Sequence, residues 1–304
     1  MHCQLIGSPL LCRAVFSAAA TLLAVTPAAA QTSATDGLEI SGSFRARGDA
    51  IDGQFRPGKA EDDAIVMLRT TLKASYTAGP VQVLGELVDA RAYGQDLTTP
   101  IGTSEVNAIE PLQAYVGLDL AQIIGQDFTG NLKAGRFTMA VGSSRLVGTA
   151  GDSNFPAAYT GAALDISTPG HGRVQLFWTM SNIRLPGGAE ALQNNEVRLD
   201  RATTDVQFYG AHYSRPLIGA VDGEAYAFRL TEKDSPGYQT ANRNLLTYGA
   251  RIFRMPEVGS MDFDLEYARQ SGETRATSSA TDTVNLDVDA YFFHAEIGRK
   301  MPGN

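Results

Sequence analysis

Charged side chains recur at every second position in several parts of this sequence. Between residues 261 and 270, the carboxylates Asp262, Asp264 and Glu266 alternate with apolar residues such as Phe263 and Leu265. Successive side chains of a β-strand point to opposite faces, so this spacing puts the acids on one face and the apolar groups on the other. A charged strand face can line an aqueous passage, where rings of charged side chains select ions by sign.

Parity along the other strand-like stretches predicts two sets of charged residues on the same polar face. The cations are Arg45, Arg47, Arg69, Lys73, Arg173 and Arg251. The acids are Glu39, Glu86, Asp222, Glu224, Asp262, Asp264 and Glu266. Many of the basic residues lie on earlier strands than most of the acidic residues. A closed sheet would therefore have two walls of opposite charge around one lumen, and these walls would focus an electric field on a passing ion. The alternative is that these charges pair across neighbouring strands and only hold the lumen rigid.

Catalytic and metal-binding interpretations lack partners in the sequence. His212 and Ser214 share a strand face, as in an outer-membrane phospholipase, but the next strand, 221–231, offers no asparagine to orient the histidine. His294 and Glu296 also share a face, and no third ligand clusters with them. A Gly-rich phosphate loop is missing as well. We therefore predict no enzymatic activity, no metal and no cofactor.

Twelve stretches with a period of two supply the strands that would carry these residues. They lie near 38–47, 64–78, 81–93, 110–120, 131–141, 158–167, 173–181, 204–214, 221–231, 245–254, 260–270 and 286–298. Most have about ten residues, the length that a tilted strand needs to cross a bilayer. In 81–93, Asp89 and Arg91 continue the otherwise apolar face, which indicates a bulge or the rim of the apolar band. Residues 118–128 are compatible with one short helical turn.

The connections between these stretches alternate between long and short along the whole chain. The long ones are 48–63, 94–109, 142–157, 182–203, 232–244 and 271–285, and the short ones are 78–80, 121–130, 167–172, 215–220 and 255–260. An up-and-down outer-membrane barrel has this pattern, because its periplasmic turns are short and its external loops are long. We therefore predict an all-β, up-and-down antiparallel transmembrane β-barrel with about 12 visible strands. In lipid such a sheet has to close on itself.

The N-terminus has the features of a secretory signal peptide. Arg13 precedes the short apolar run AVFSAAATLLAV, and the small residues of TPAAAQ follow it. We predict cleavage after Ala30, which leaves 31–304 as one outer-membrane barrel domain behind a signal peptide of residues 1–30. The apolar run is too short to span a bilayer as a helix, and no other long apolar run occurs in the sequence. These two observations exclude a helical membrane protein.

Composition narrows the partners of the chain. The formal net charge is -8, which argues against nucleic acid. Both cysteines, Cys3 and Cys12, precede the predicted cleavage site, so the remaining chain depends on burial, sheet closure or lipid rather than on disulfides. We expect a monomer in contact with the lipid of a Gram-negative outer membrane.

Five segments together resemble the alginate-export family of outer-membrane proteins. They are LRTTLKASYTAGPVQVLGELVDARAYGQD (68–96), LQAYVGLDL (112–120), NLKAGRFTMAVGSSRLVG (131–148), RVQLFWTM (173–180) and DVQFYGAHYS (205–214). The resemblance implies a monomeric porin with an arginine-rich lumen that passes an anionic polysaccharide or a smaller organic anion. Two departures stand out. The family's barrels have more strands than twelve, and only Arg145 occurs where several basic residues are expected after the fifth strand, which counts against alginate itself as the solute.

The expected function is an outer-membrane porin for hydrophilic, preferentially anionic solutes, in polysaccharide export or in organic anion uptake. The alternative is a non-conducting barrel whose long loops serve adhesion or surface structure. The final residues, GRKMPGN, are similar in composition to the short turns. We therefore expect that C-terminal strands are lacking from this sequence and that 38–47 and 286–298 form unpaired sheet edges.

Overall fold

The computed structural model describes residues 37–53, 55–125 and 127–302, and it contains one antiparallel sheet in which each strand pairs with its neighbours in the chain. The strands are β1 Gly37–Ile51, β2 Asp63–Ala78, β3 Val81–Tyr93, β4 Asn107–Asp119, β5 Thr129–Phe137, β6 Tyr159–Thr168, β7 Gly172–Ile183, β8 Arg201–Ile218, β9 Val221–Glu232, β10 Asn244–Arg254, β11 Met261–Thr274 and β12 Leu286–Arg299. The predicted all-β, up-and-down architecture is confirmed. The predicted signal peptide lies outside the described residues.

Two short helices interrupt the strands. Helix α1, Leu120–Ile124, is the helical turn predicted within 118–128, and the Asp119 side chain caps it by accepting a hydrogen bond from the Ala121 N–H. Helix α2, Ala189–Gln193, was not predicted and lies in the connection between β7 and β8. Within the part of the chain that the structure describes, no helix is long and apolar enough to cross a membrane.

The apolar side chains of the strands form an exposed face that continues from strand to strand. Leu265, for example, lies opposite Ile252 of β10 and Ala295 of β12. Other exposed members of this apolar face are Leu38, Ile40, Phe44, Val83, Leu87, Trp178, Tyr248 and Tyr291. Soluble monomers rarely expose contiguous apolar surface on this scale. This is the face that the sequence pattern assigned to lipid.

The anomaly in β3 has a structural cause. The pairing of β3 with β4 shifts register between Glu86 and Leu87 and again between Val88 and Ala90. Asp89 and Arg91, on the apolar face, form an ion pair of 2.9 Å near the end of the sheet that carries the long loops. Both expected causes, a register irregularity and a polar rim, are therefore present.

A long loop lies on the polar face of the sheet. The inner loop, residues 138–158, connects β5 to β6; its Ser153 carbonyl accepts a hydrogen bond from Arg45 of β1 (2.9 Å), while its Arg145 pairs with Asp264 of β11 (2.6 Å). In a flat sheet, β1 and β11 would be about 48 Å apart, ten strand spacings. The eight-residue step between Arg145 and Ser153 spans at most about 29 Å when fully extended. The loop is instead folded into turns closed by the Val141 N–H to the Val147 carbonyl and the Ser153 N–H to the Ala150 carbonyl, which leaves the two arginine side chains too short to bridge the difference. The sheet therefore curls around the inner loop, with its polar face inside.

The two outermost strands, β1 and β12, have no pairing with each other among the described residues. The expected opening of the sheet between them is therefore observed.

Candidate functional site

The polar face of β1 and β2 carries two arginines as direct cross-strand neighbours, Arg45 and Arg69. Both guanidinium groups donate hydrogen bonds to the Ser153 carbonyl of the inner loop, at 2.9 Å and 3.2 Å. Within the described chain neither forms an ion pair with a carboxylate, and the Nε atom of each is buried without a hydrogen-bond partner. Two like charges thus lie side by side, held only by neutral acceptors, an arrangement that favours an incoming anion.

The other predicted cations on β1 and β2, which form the basic wall, either form an ion pair or lie opposite an acid. Arg47 pairs with Asp49 of its own strand at 2.7 Å. Lys73 lies opposite Glu86 in the register of β2 and β3, but among the described contacts the two form no ion pair. Glu39 lies on β1 opposite Ser75 and is also without an ion pair in this part of the structure. Arg45 and Arg69 are therefore two half-buried cations that lie side by side without an adjacent carboxylate, while Lys73 is an exposed cation without an ion pair.

On β9 to β11, predicted acids and bases are paired. Arg251 donates two hydrogen bonds to Asp264, at 2.7 Å and 2.9 Å, and lies 3.3 Å from Glu224. Arg145 of the inner loop binds Asp264 and Glu266, both at 2.6 Å. These ion pairs connect the predicted acids Glu224, Asp264 and Glu266 and the predicted base Arg251 with Arg145. Arg145 lies in a loop, so the parity of a strand cannot predict its position. On this wall the charges pair across strands, as in the alternative interpretation of the sequence.

The remaining predicted residues lie closer to the short turns. Arg173 of β7 forms a two-pronged ion pair with Asp165 of β6. Asp222 and Asp262 lie near the short-turn ends of β9 and β11 and have no ion pair among the described residues. The acidic character of the β9–β11 wall therefore persists toward that end.

Arg145 is the residue of the candidate site whose position sequence reasoning did not predict. Its side chain is 27% exposed, and the hydrogen bond to Asp264, supported by Glu266, raises the pKa of the Arg145 guanidinium above its usual value. It is a permanent cation across physiological pH. Its position in a long loop gave no periodic signal, and only the curl of the sheet brings it to β11.

A comparison with protein families matches residues 37–301 to the family described as Alginate export. The chain belongs to the alginate export family. The match covers nearly all described residues and confirms the resemblance carried by the sequence segments. A comparison with curated proteins finds no match. The transport family and the antiparallel sheet both fit an outer-membrane location.

The histidine site considered for catalysis is arranged differently in this alginate export family member. His212 is buried, its Nε2 atom lies 3.5 Å from a Glu224 carboxylate oxygen, and its ring stacks on Tyr226. Its two ring nitrogens have no hydrogen-bond partner among the described residues, so no bond to Ser214 is formed. The serine–histidine geometry that a hydrolase needs is not assembled here.

A second charged cluster of the family member lies at the long-loop end and was not predicted. Arg136 of β5 binds Glu110 at 2.5 Å and Asp200 at 2.9 Å, and the Asp200 N–H donates to Glu110 at 3.0 Å. Both carboxylates are buried. Because Asp200 ends the connection between β7 and β8, the cluster fixes that loop to β4 and β5. The register shifts in β4 hide Glu110 from a simple parity count.

Candidate metal ligands do not converge in the described chain, where no group of three or more histidine, cysteine, aspartate or glutamate side chains forms a metal site. His294 lies 3.9 Å from Asp264 and 3.7 Å from Glu296. It is therefore a neighbour of the acidic wall, the polar face of β9 to β11, and does not complete a set of metal ligands.

Proposed function

We propose that this protein passes an anionic polysaccharide, or a smaller organic anion, across the outer membrane along its polar face. Membership of the alginate export family supports polysaccharide export through an outer-membrane channel. The observation that carries the anionic preference is the Arg45–Arg69 pair, two adjacent guanidinium groups with no carboxylate partner in the described structure.

The chemistry of this pair suits carboxylates. A guanidinium presents a rigid fork of donors that matches the two oxygens of a carboxylate. Here the donors are engaged with the Ser153 carbonyl and, more weakly, with the Asn154 side chain at 3.4 Å. A charged acceptor forms hydrogen bonds about twice as strong as a neutral one, so a solute carboxylate can replace these contacts.

The predicted signal peptide, residues 1–30, would direct the chain through the inner membrane, and the exposed apolar face would contact outer-membrane lipid as a monomer. We propose no enzymatic role, since the histidine and serine of β8 do not form a catalytic pair.

A planar bilayer with a salt gradient tests the anion preference. The purified full-length protein should show channels whose reversal potential favours anions, and the double variant Arg45→Gln/Arg69→Gln should lose that preference. The matched control is Arg173→Gln/Asp165→Asn, which removes one base and one acid that neutralise each other. It should leave the reversal potential unchanged. An arginine double variant with the wild-type reversal potential would exclude this pair from the solute path.

A second candidate function is favoured by the inner loop, which crosses the polar face from β11 to β1 and occupies part of the lumen. A non-conducting barrel with adhesive or structural surface loops would have such an obstruction. The bilayer experiment separates the two candidates, because a protein that folds into lipid and opens no channel at any voltage would belong to the second.

A further inference from the structure

Three carboxylates of the acidic wall lie beneath the inner loop. The side chains of Glu224, Asp264 and Glu266 are only 8%, 15% and 1% exposed. Gly142 of the loop lies directly against the first of them. A Cβ atom at Gly142 would be 3.2 Å from the Glu224 carboxylate and 2.9 Å from His212 Nε2. The loop therefore covers this part of the wall without a gap that a solute could enter.

The covering part of the loop is a closed turn. The Val141 N–H donates to the Val147 carbonyl at 3.0 Å, and the glycine and Ser144 between them adopt positive φ values of 54° and 62°. Both valines are buried against a cluster that includes Phe177 and Phe228. This turn, residues 141–147, is the tip of the inner loop. Its apolar underside packs on the sheet, and Arg145 is its one charged attachment.

We propose that the inner loop screens Glu224, Asp264 and Glu266 from the solute path, and that Arg145 is the positioning residue that fastens this screen. The inference rests on the proposed function in taking the polar face as that path. Exposed carboxylates would repel an anion and raise the local concentration of cations. With the loop in place, the adjacent cations Arg45 and Arg69 on the opposite wall act on a path from which these three acids are excluded.

The two attachments of the loop differ in kind. At the β1–β4 side, Asn154 is 2% exposed, and its side-chain amide donates to the carbonyls of Leu68, Arg91 and Glu105 at 3.0, 3.3 and 2.8 Å. Phe155 beside it is buried in an apolar cluster. This attachment belongs to the folded core of the protein and should not open without wider unfolding.

Removal of Arg145 leaves one of its two acids, Asp264, in an ion pair with Arg251, and takes from Glu266 the ion pair that it has in the described structure. Asp264 retains its two hydrogen bonds from Arg251, and Glu266 retains the hydrogen bond from the Tyr226 hydroxyl at 2.8 Å. Breaking a buried pair is costly chiefly when it leaves an isolated charge. Glu266 would be such a charge while the loop covers it, and it is relieved when the tip opens and water reaches it. Loss of Arg145 should therefore open the tip and leave the sheet folded.

Two variants test the screen through ion preference. Arg145→Gln should shift the reversal potential toward cations by more than Arg173→Gln, because it removes one cation and also uncovers three acids. Val147→Ala changes no charge but loosens the apolar underside of the tip, so it should shift the reversal potential in the same direction. Both should admit larger polyethylene glycols than the wild type. A Val147→Ala channel with wild-type ion preference would mean that Arg145 acts only as a local charge, and the screen would be refuted.

A chemical probe tests the screen independently of conduction. A water-soluble carbodiimide with a small amine labels accessible carboxylates, and mass spectrometry of the lipid-embedded protein locates the label. Glu224, Asp264 and Glu266 should be unlabelled in the wild type and labelled in Arg145→Gln and Val147→Ala. Equal labelling in all three proteins would overturn the inference. Screened carboxylates in a protein that opens no channel would instead contradict the proposed function alone.

Discussion

Replacement of Leu265 by arginine should impair membrane assembly, and the structure gives the depth on which the size of the effect depends. Leu265 lies on the apolar face of β11 with 39% of its surface exposed. The same face begins at Met261 and reaches Arg269, which is paired with Asp289 at 3.0 Å. Leu265 is four residues from each end of this stretch, about 13 Å along the strand. With a strand tilt of about 40°, each distance becomes about 10 Å along the membrane normal.

These distances place Leu265 near the middle of an apolar band about 25 Å tall. An arginine on the lipid face costs about 2–4 kcal/mol at the midplane and about 0–1 kcal/mol near the interface. Leu265→Arg should therefore destabilise the inserted protein by about 2–4 kcal/mol. Met261→Arg introduces the same side chain on the same strand and face, four residues nearer the short turns, and should cost about 0–1 kcal/mol.

Reversible urea unfolding from phospholipid vesicles measures both free energies. The single tryptophan, Trp178, lies on the apolar face and is 45% exposed, so its fluorescence reports entry into lipid. A cost that is equal at the two positions would show that the face does not span a bilayer with Leu265 at its centre. A stable Leu265→Arg protein would refute the assignment of this face to lipid altogether.

Three further predictions follow from the loops. A protease added to intact cells should cut within 184–200 and not within 255–260; cleavage confined to the second range would invert the topology. Asn154→Ala should destabilise the protein by about 1–3 kcal/mol for each buried carbonyl left without a donor, measured by the same urea unfolding. The hydrogen bond from the Thr240 N–H holds the pKa of Asp234 below its usual value. This contact should therefore be complete above about pH 4 and weaken only as pH falls through the lowered pKa, and the amide-exchange protection of Thr240 should follow it; protection that is already lost above about pH 4 would exclude the contact.

The order and direction of the strands could be predicted because they depend on local periodicity. Alternation over about ten residues identifies a half-buried strand, and the regular change of long and short links leaves only neighbour-to-neighbour antiparallel pairing. The errors lie at the ends of strands. The fifth stretch was expected to run to residue 141, but β5 ends at Phe137, because the chain leaves the sheet there to form the inner loop. The eighth was expected to end at residue 214, and β8 continues to Ile218 before a two-residue turn.

The candidate site was less accessible to sequence reasoning because parity assigns a face and not a partner. Arg45 and Arg251 were given equal roles, yet the first has no carboxylate partner in the described structure and the second has two. The difference depends on strand register, which sets Arg45 opposite Arg69. The register sets Arg251 opposite Glu224 and diagonal to Asp264, two residues along β11 from its direct neighbour Glu266. Loop residues carry no periodic signal, so only the folded structure brings Arg145 to the acidic wall.

The position of Arg145 also bears on the scarcity of basic residues after the fifth strand, which set this sequence apart from the family pattern. Its charge is already matched by Asp264 and Glu266, so this segment contributes no free cation to the lumen. A solute carboxylate at this point would have to compete with two acids at 2.6 Å in a partly buried site. At Arg45 and Arg69 it would compete only with neutral oxygens. The anion path should therefore follow the β1–β2 wall, and removal of those two arginines should affect anion binding more than any substitution in the inner loop that leaves the screen closed.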